Sequence, residues 1–243
     1  PGRFDRQVLV DRPHREGRRA IFAVHVRELI LAEDVDLDRL AAETAGFAGA
    51  EIANLCNEAA LLASRRDREC ITMADLQDAF ERVIGGLEKK GKVLSEADRR
   101  RVAIHESGHA LVGWFTPGQD PVQKISIVPR GHAALGYTLQ FPVEDHLLLL
   151  RSELEGRVRV LLGGRAAEEL VLGEISTGAS DDLEKASRLL REILGVHGMS
   201  QQLPNLSLAD STSPGFLGQG AGRAAYSEET ARVLDAELLE ALR

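Results

Sequence analysis

The stretch His105-Glu106-Ser107-Gly108-His109 decides how the rest of the chain is read. On a helix, residues four apart stand one above the other on the same face. Two imidazoles at that spacing can grip one Zn²⁺, and the glutamate between them can reach a water held there. The flanks point to a helix. Ser95-Glu96-Ala97-Asp98 reads as its start, an oxygen-bearing cap followed by acids in the first turn. Arg101 to Phe115 then carries Val102, Ile104, Ala110, Leu111, Val112, Trp114 and Phe115, which predicts a helix buried in a core. Imidazoles without partners are costly in such a place, so the surroundings favour a metal site over a chance match.

A catalytic zinc site takes three protein ligands and keeps one position open. The motif does not extend to H-E-x-x-H-x-x-G-x-x-H, because the positions that would carry Gly and His are Val112 and Phe115. A carboxylate is the usual alternative, and the candidates are Glu168, Glu169, Glu174, Asp181 and Asp182. From Ser180 onward the apolar positions are Leu183, Ala186, Leu189, Leu190, Ile193 and Leu194. At about 100° per residue, Asp182 falls beside the Ala186–Leu189–Ile193 row. Asp181 falls with Lys185, Arg188 and Glu192 on the polar face. An acid aimed at a core needs a partner. The plainer reading, in which both acids only favour a helix N-terminus electrostatically, suits Asp181 better than Asp182. Glu168 and Glu169 stay open as rivals. His14, His25, His132, His146 and His197 have no ligand spacing to the motif, and each reads as a surface or core histidine.

Composition narrows the classes. A length of 243 residues allows one large domain or two small ones. The net charge of −8 and the lack of a long basic block argue against nucleic acid as a partner. No apolar run approaches a membrane span, and the N-terminus does not read as a signal peptide. Cys56 and Cys70 lack metal-ligand spacing, fall in helical patterns, and read as reduced thiols of a cytosolic-type compartment.

The expected fold is mainly α: a small all-α domain, a connector, and a mostly helical second domain with a short β element. In the first part, His14–Leu31, Asp36–Leu40, Ala50–Arg66 and Thr72–Val83 carry helical patterns. Ala50–Arg66 shows an apolar stripe at Ile52, Leu55, Ala59 and Leu62, and Thr72-Met73-Ala74-Asp75 resembles a capping box. Glycine and clustered charge over Gly85–Lys92 mark the connector. Val122–Val128 and Leu135–Phe141 read as strands around a Pro129-Arg130-Gly131 turn. Helices are expected over Asp145–Leu162, Ala166–Leu172, Ala179–Val196 and Ser227–Leu242, with a Pro-, Ser- and Gly-rich loop at Leu203–Gly222. The boundaries read as 1–84, 85–94 and 95–243.

Taken together, these blocks resemble the C-terminal part of the FtsH family, membrane-anchored AAA+ zinc proteases of protein quality control. Pro1-Gly2-Arg3-Phe4-Asp5-Arg6-Gln7 is similar to the end of the AAA+ core. Gly46–Glu51 (GFAGAE) and Asn54–Ala60 (NLCNEAA) are similar to the helical lid. Ala103–Ala110 (AIHESGHA), Ile127–Gly131 (IVPRG), Gly163–Glu169 (GGRAAEE) and Ser176–Asp182 (STGASDD) are similar to the peptidase domain. The resemblance implies Zn²⁺ held by His105, His109 and Asp182, with Glu106 as the general base. It also implies Arg3 as an arginine finger reaching a neighbouring subunit's nucleotide, and His25, Gly49 and Ala50 at the adenine nucleotide. ATP with Mg²⁺ would drive the intact protein, a homo-hexamer at the cytoplasmic face of a bacterial inner membrane or at an organelle membrane, and unfolded soluble and membrane polypeptides would be its substrates. The phosphate-binding loop G-x-x-x-x-G-K-[ST] and the family's membrane segments are not in this chain, so the chain alone is expected not to hydrolyse ATP. A strand edge near Val122–Val128 or Leu135–Phe141 would suit an extended substrate. The alternative is a non-catalytic lid with a relic peptidase domain that only binds protein; loss of a ligand or of the base would mark it, and neither is lost. A stand-alone peptidase for short peptides is disfavoured by the lid sequence.

Overall fold

The computed structural model describes residues 10–86, 94–129, 135–140, 148–208 and 226–242. They are mainly helical, with one two-stranded sheet among the described residues. They fall into two compact units. One draws on Pro1–Glu96 and Asp120–Leu147, the other on Ala97–Gln119 and Leu148–Arg243.

In the first unit, α1 (Arg15–His25), α2 (Leu37–Glu43), α3 (Gly49–Arg65) and α4 (Met73–Gly85) pack around one core. The predicted stripe on α3 forms its centre: Ile52, Leu55, Ala59 and Leu62 are buried with Phe22, Leu40, Leu76 and Phe80. Each large side chain fully buried in this way contributes roughly 1.5–3 kcal/mol. The helix starts follow local chemistry. Asp36 accepts hydrogen bonds from the amides of Asp38 and Arg39 at the head of α2. Thr72 and Asp75 form a reciprocal capping box at the head of α4. Helix α1 stops at His25, short of the expected Leu31. The chain then turns, because Ile30 and Ala32 exchange backbone hydrogen bonds with Ile71 in a short parallel bridge.

Strands β1 (Val122–Ser126) and β2 (Tyr137–Gln140) pair antiparallel, with Ser126 opposite Tyr137 and an irregularity between Val122 and Lys124. Both are shorter than expected; Ile127 and Val128 leave the ladder, as do Leu135 and Gly136. Leu139 packs against the helical core of this unit, and the Glu81 carboxylate receives the Lys124 ammonium and the Tyr137 hydroxyl. Cys56 is buried in α3, where burial pushes its thiol up to about 11. Cys70 lies in a bend and not in a helix, and both thiols are free.

The second unit contains α5 (Glu96–Phe115), α6 (Arg151–Leu172), α7 (Ser180–Arg191) and α8 (Glu228–Ala241). Leu154 and Val158 of α6 meet Ala186 and Leu190 of α7, with Ile193 from the π-helical turn Glu192–Val196 that follows. Glu237 of α8 accepts from Ser200 Oγ (2.5 Å) and from the Gln201 amide (2.8 Å), tying α8 to the chain after α7. Two expectations are corrected here. The pattern predicts separate helices over 145–162 and 166–172; residues 145–147 lie outside the described residues, and one helix runs from Arg151 to Leu172 with Gly163 and Gly164 inside it. Those glycines are an adaptation to a close neighbour and not a break. Helix α5 was expected to be buried along its apolar run, but Leu111, Trp114 and Phe115 are exposed. The buried positions of α5 are instead His105, Glu106, Gly108, His109, Ala110 and Gly113. Small and polar residues therefore form its inner face. The Leu203–Gly222 loop lies mostly outside the described residues.

Asp75 is heavily tied within the first unit. Its side chain is fully buried and accepts from Arg66 (2.6 Å), Arg68 (2.9 Å), the Thr72 hydroxyl (2.7 Å) and the Thr72 amide (3.1 Å). Burial alone would raise its pKa, but the bonds from Thr72, Arg66 and Arg68 outweigh burial and hold it at about 2. A depressed carboxylate stabilises the fold fully above its unfolded pKa and loses that effect as pH falls through its folded pKa. Asp75→Ala is expected to cost about 2–3 kcal/mol at neutral pH, read by urea denaturation. The deficit relative to the parent should shrink as pH is lowered from 4 toward 2.

Candidate metal centre

Helix α5 presents His105 and His109 one turn apart on its buried face. Helix α6 lies directly against that face. An ideal Cβ on Gly108 would come 2.4 Å from the Gly163 carbonyl oxygen, and one on Gly163 would come 2.9 Å from the Gly108 oxygen. The two backbones meet at a separation only glycines allow. At the end of α6, Gly173 adopts φ of 74°, a left-handed conformation that ends the helix. A 3₁₀ turn at Thr177–Ala179, capped by the Ser176 hydroxyl, then opens α7 with Asp182 in its first turn.

Each imidazole is held from behind. His109 Nδ1 lies 2.7 Å from the Val160 carbonyl oxygen. A carbonyl only accepts, so Nδ1 carries the proton and Nε2 of the neutral ring carries a lone pair. His105 Nδ1 lies 2.7 Å from Glu168 Oε1. Burial alone would raise the Glu168 pKa, but Ser176, His105 and Arg101 outweigh it and hold the carboxyl below its usual range. Glu168 is thus ionised and accepts from His105 in the same sense. Arg101 bridges Glu168 (3.4 Å) and the exposed Glu174 (3.0 Å).

The two Nε2 atoms face each other at 3.0 Å, and Asp182 Oδ2 lies 3.2 Å from that of His105 and 3.4 Å from that of His109. Three electron-pair donors therefore converge on one spot. Burial lowers the pKa of both rings, but the Asp182 carboxylate, with Glu168 at His105 and the Val160 carbonyl at His109, outweighs it, and both pKa values lie above the usual histidine value. Asp182 is held well below the usual carboxylate range: burial opposes this and both histidines impose it. The arrangement calls for a positive charge at its centre. The donor set suits zinc, since three tetrahedral ligands at 2.0–2.1 Å stand roughly 3.3–3.4 Å apart.

The sequence candidates separate cleanly. His105, His109 and Asp182 come together as the group able to hold a metal ion among the described residues. Glu106 is buried beside them on α5. Glu168 is fully buried but turned to the far side of His105, Glu169 is exposed, and Asp181 pairs with Lys185 (2.6 Å) on the outer face of α7. Arg3, His132 and His146 lie outside the described residues. In the first unit, His25 ends α1 and is exposed, while Gly49 opens α3 with Ile21 Cδ1 3.9 Å from where its Cβ would be, and Ala50 follows, exposed. Sequence reasoning missed Glu168 as the partner of a histidine and Gly164 as a neighbour of both. For Gly164 the signal was a glycine pair inside an otherwise helical pattern.

Comparison with known proteins gives the family. The family model described as Peptidase family M41 matches residues 92–243, and that of the AAA+ lid domain matches 34–78. The chain is 54% identical over 238 residues to the ATP-dependent zinc metalloprotease FtsH of Chlorobium luteolum, covering 98% of this chain and 34% of that protein. It is 56% identical over 203 residues to the FtsH of Acaryochloris marina, covering 84% and 31%. It is 52% identical over 242 residues to FtsH 4 of Synechocystis sp., covering 99% and 38%. The chain thus spans about a third of the length of these curated relatives. With the family model covering well over half of its residues, the chain belongs to peptidase family M41.

Proposed function

We propose that this chain is the lid and peptidase portion, divided near 1–84, 85–94 and 95–243, of an ATP-dependent zinc metalloendopeptidase that hydrolyses peptide bonds in unfolded polypeptides. The observation that carries the reading is the convergence of His105 Nε2, His109 Nε2 and Asp182 Oδ2, each within 3.4 Å of the others. These three side chains would hold Zn²⁺. Bound zinc supplies Lewis acidity, polarising a carbonyl and making water acidic near neutral pH.

The remaining work falls to the chain's own groups. Glu106 follows His105 and precedes His109 by three residues, so its carboxylate shares their buried surroundings. It takes a proton from the attacking water and returns it to the leaving amine. Glu168 and the Val160 carbonyl fix both imidazoles in the tautomer that leaves Nε2 free. His25, Gly49, Ala50 and Arg3 are proposed nucleotide contacts of the intact hexamer, where ATP with Mg²⁺ would drive delivery of substrate. Attachment to the cytoplasmic face of a membrane would come from elsewhere in the intact protein; no helix among the described residues is long and apolar enough to cross a membrane.

Variants and a pH titration test the reading. In the intact protein supplied with ATP, Glu106→Gln is expected to lower cleavage of an unfolded protein by about 10²–10⁴-fold while one equivalent of zinc stays bound. Retained cleavage would sink the assignment of the base. Asp182→Ala is expected to abolish stoichiometric zinc, and Glu168→Ala to weaken it about 10–100-fold, both read by elemental analysis and chelator competition. Zinc affinity should also fall as pH is lowered, because protons compete for the two Nε2 atoms. Since both histidine pKa values are raised in the metal-free protein, the loss should begin above the usual histidine value of about 6.5.

A further inference from the structure

Glycine in a helix interior is disfavoured by backbone entropy, yet Gly163 and Gly164 sit side by side inside the 22-residue α6. Gly163 is explained by packing, since its Cβ would meet the Gly108 oxygen and Val112 Cγ2, both at 2.9 Å. Gly164 has a different surrounding. Its Cβ would lie 2.5 Å from His105 Nε2, 2.6 Å from His109 Nε2 and 2.7 Å from His105 Cε1. The nearest atoms are the reacting edges of the two imidazoles and not backbone. A carbon so placed stands close to the shell a zinc ion takes from its nitrogens, roughly 2.0–2.1 Å.

We infer that Gly164 is a positioning residue of the metal centre, the wall of α6 whose missing side chain leaves both Nε2 atoms free to converge on a cation. The inference rests on the proposed zinc site, and within it on His105 and His109 as ligands. A second observation supports it. In an α-helix the carbonyl of residue i lies beside residue i+4, so the bare Gly164 also leaves the Val160 carbonyl open to His109 Nδ1 at 2.7 Å. A single methyl would disturb both ends of that ring. Because the clash falls on the ends of side chains, the imidazoles can swing aside in the metal-free protein and the helices can stay packed. At Gly108 the clash falls on the Gly163 backbone, at 2.4 Å from its oxygen and 2.9 Å from its carbonyl carbon, and no side chain can relieve it.

The test compares Gly164→Ala, Gly164→Ser and Gly108→Ala with the parent and with Asp182→Ala. Zinc affinity is read by competition with a chromophoric chelator, and folding by circular dichroism and thermal melting of the metal-free proteins. Gly164→Ala is expected to keep the helical spectrum and to lose less melting temperature than Gly108→Ala while zinc binding weakens about 100-fold or more, with Gly164→Ser at least as weak. Gly108→Ala is expected to lower the melting temperature instead. Parent-like zinc affinity in Gly164→Ala would overturn the inference. So would unfolding of Gly164→Ala to the same degree as Gly108→Ala, which would make it a packing glycine. A parent that takes up no zinc would overturn the site assignment and the inference together. Retention of zinc by Asp182→Ala would overturn the third ligand alone and leave Gly164 to be decided by its own variants.

Discussion

Three lone pairs pointed at one another in a largely buried cluster are an unfavourable arrangement unless something positive lies between them. His105 Nε2, His109 Nε2 and Asp182 Oδ2 make that arrangement, and the second unit is organised to keep it. The bond from His109 to the Val160 carbonyl fixes one ring, the bond from His105 to Glu168 fixes the other, and the first turn of α7 delivers the aspartate. All of this depends on the approach of α5 to α6, where Gly108 and Gly163 face each other with no room for a Cβ on either. The exposed Leu111, Trp114 and Phe115 follow from the same constraint. A helix whose inner face must be glycine, alanine and histidine carries its large apolar residues elsewhere.

Several local features are legible in the sequence. The i, i+4 histidines announced a shared face, and helix phase separated Asp182 from Asp181, which the structure finds paired with Lys185 on the outer side. The capping box at Thr72 and Asp75 and the stripe Ile52–Leu55–Ala59–Leu62 were local patterns, and local patterns are what a sequence displays directly. What escaped notice was non-local. Glu168 lies 63 residues from His105, and nothing in its own neighbourhood says that it accepts a hydrogen bond from that ring. Gly163 and Gly164 read as a helix break because glycine usually is one; only the neighbouring helix explains why they are tolerated.

The first unit shows the same division. Its helices were visible from periodicity, but the attachment of the hairpin was not. Lys124 and Tyr137 reach Glu81 across 43 and 56 residues, and Leu139 joins a core built from helices much earlier in the chain. The segment matched by the peptidase family therefore includes two strands that pack with the unit carrying the lid match. Sequence order and spatial grouping part company at this hairpin.

The two imidazoles are braced by acceptors of different origin. His105 leans on a side-chain carboxylate, His109 on a peptide oxygen. A carboxylate draws the Nδ1 proton more strongly than a carbonyl and makes the opposite nitrogen the richer donor. It can also be exchanged by a single codon change, whereas the Val160 oxygen persists whatever residue occupies that position. Heritable variation can thus retune the electron density delivered by one histidine while leaving the other constant. In the zinc centre proposed above, adjustment of acidity over evolutionary time would be channelled through Glu168.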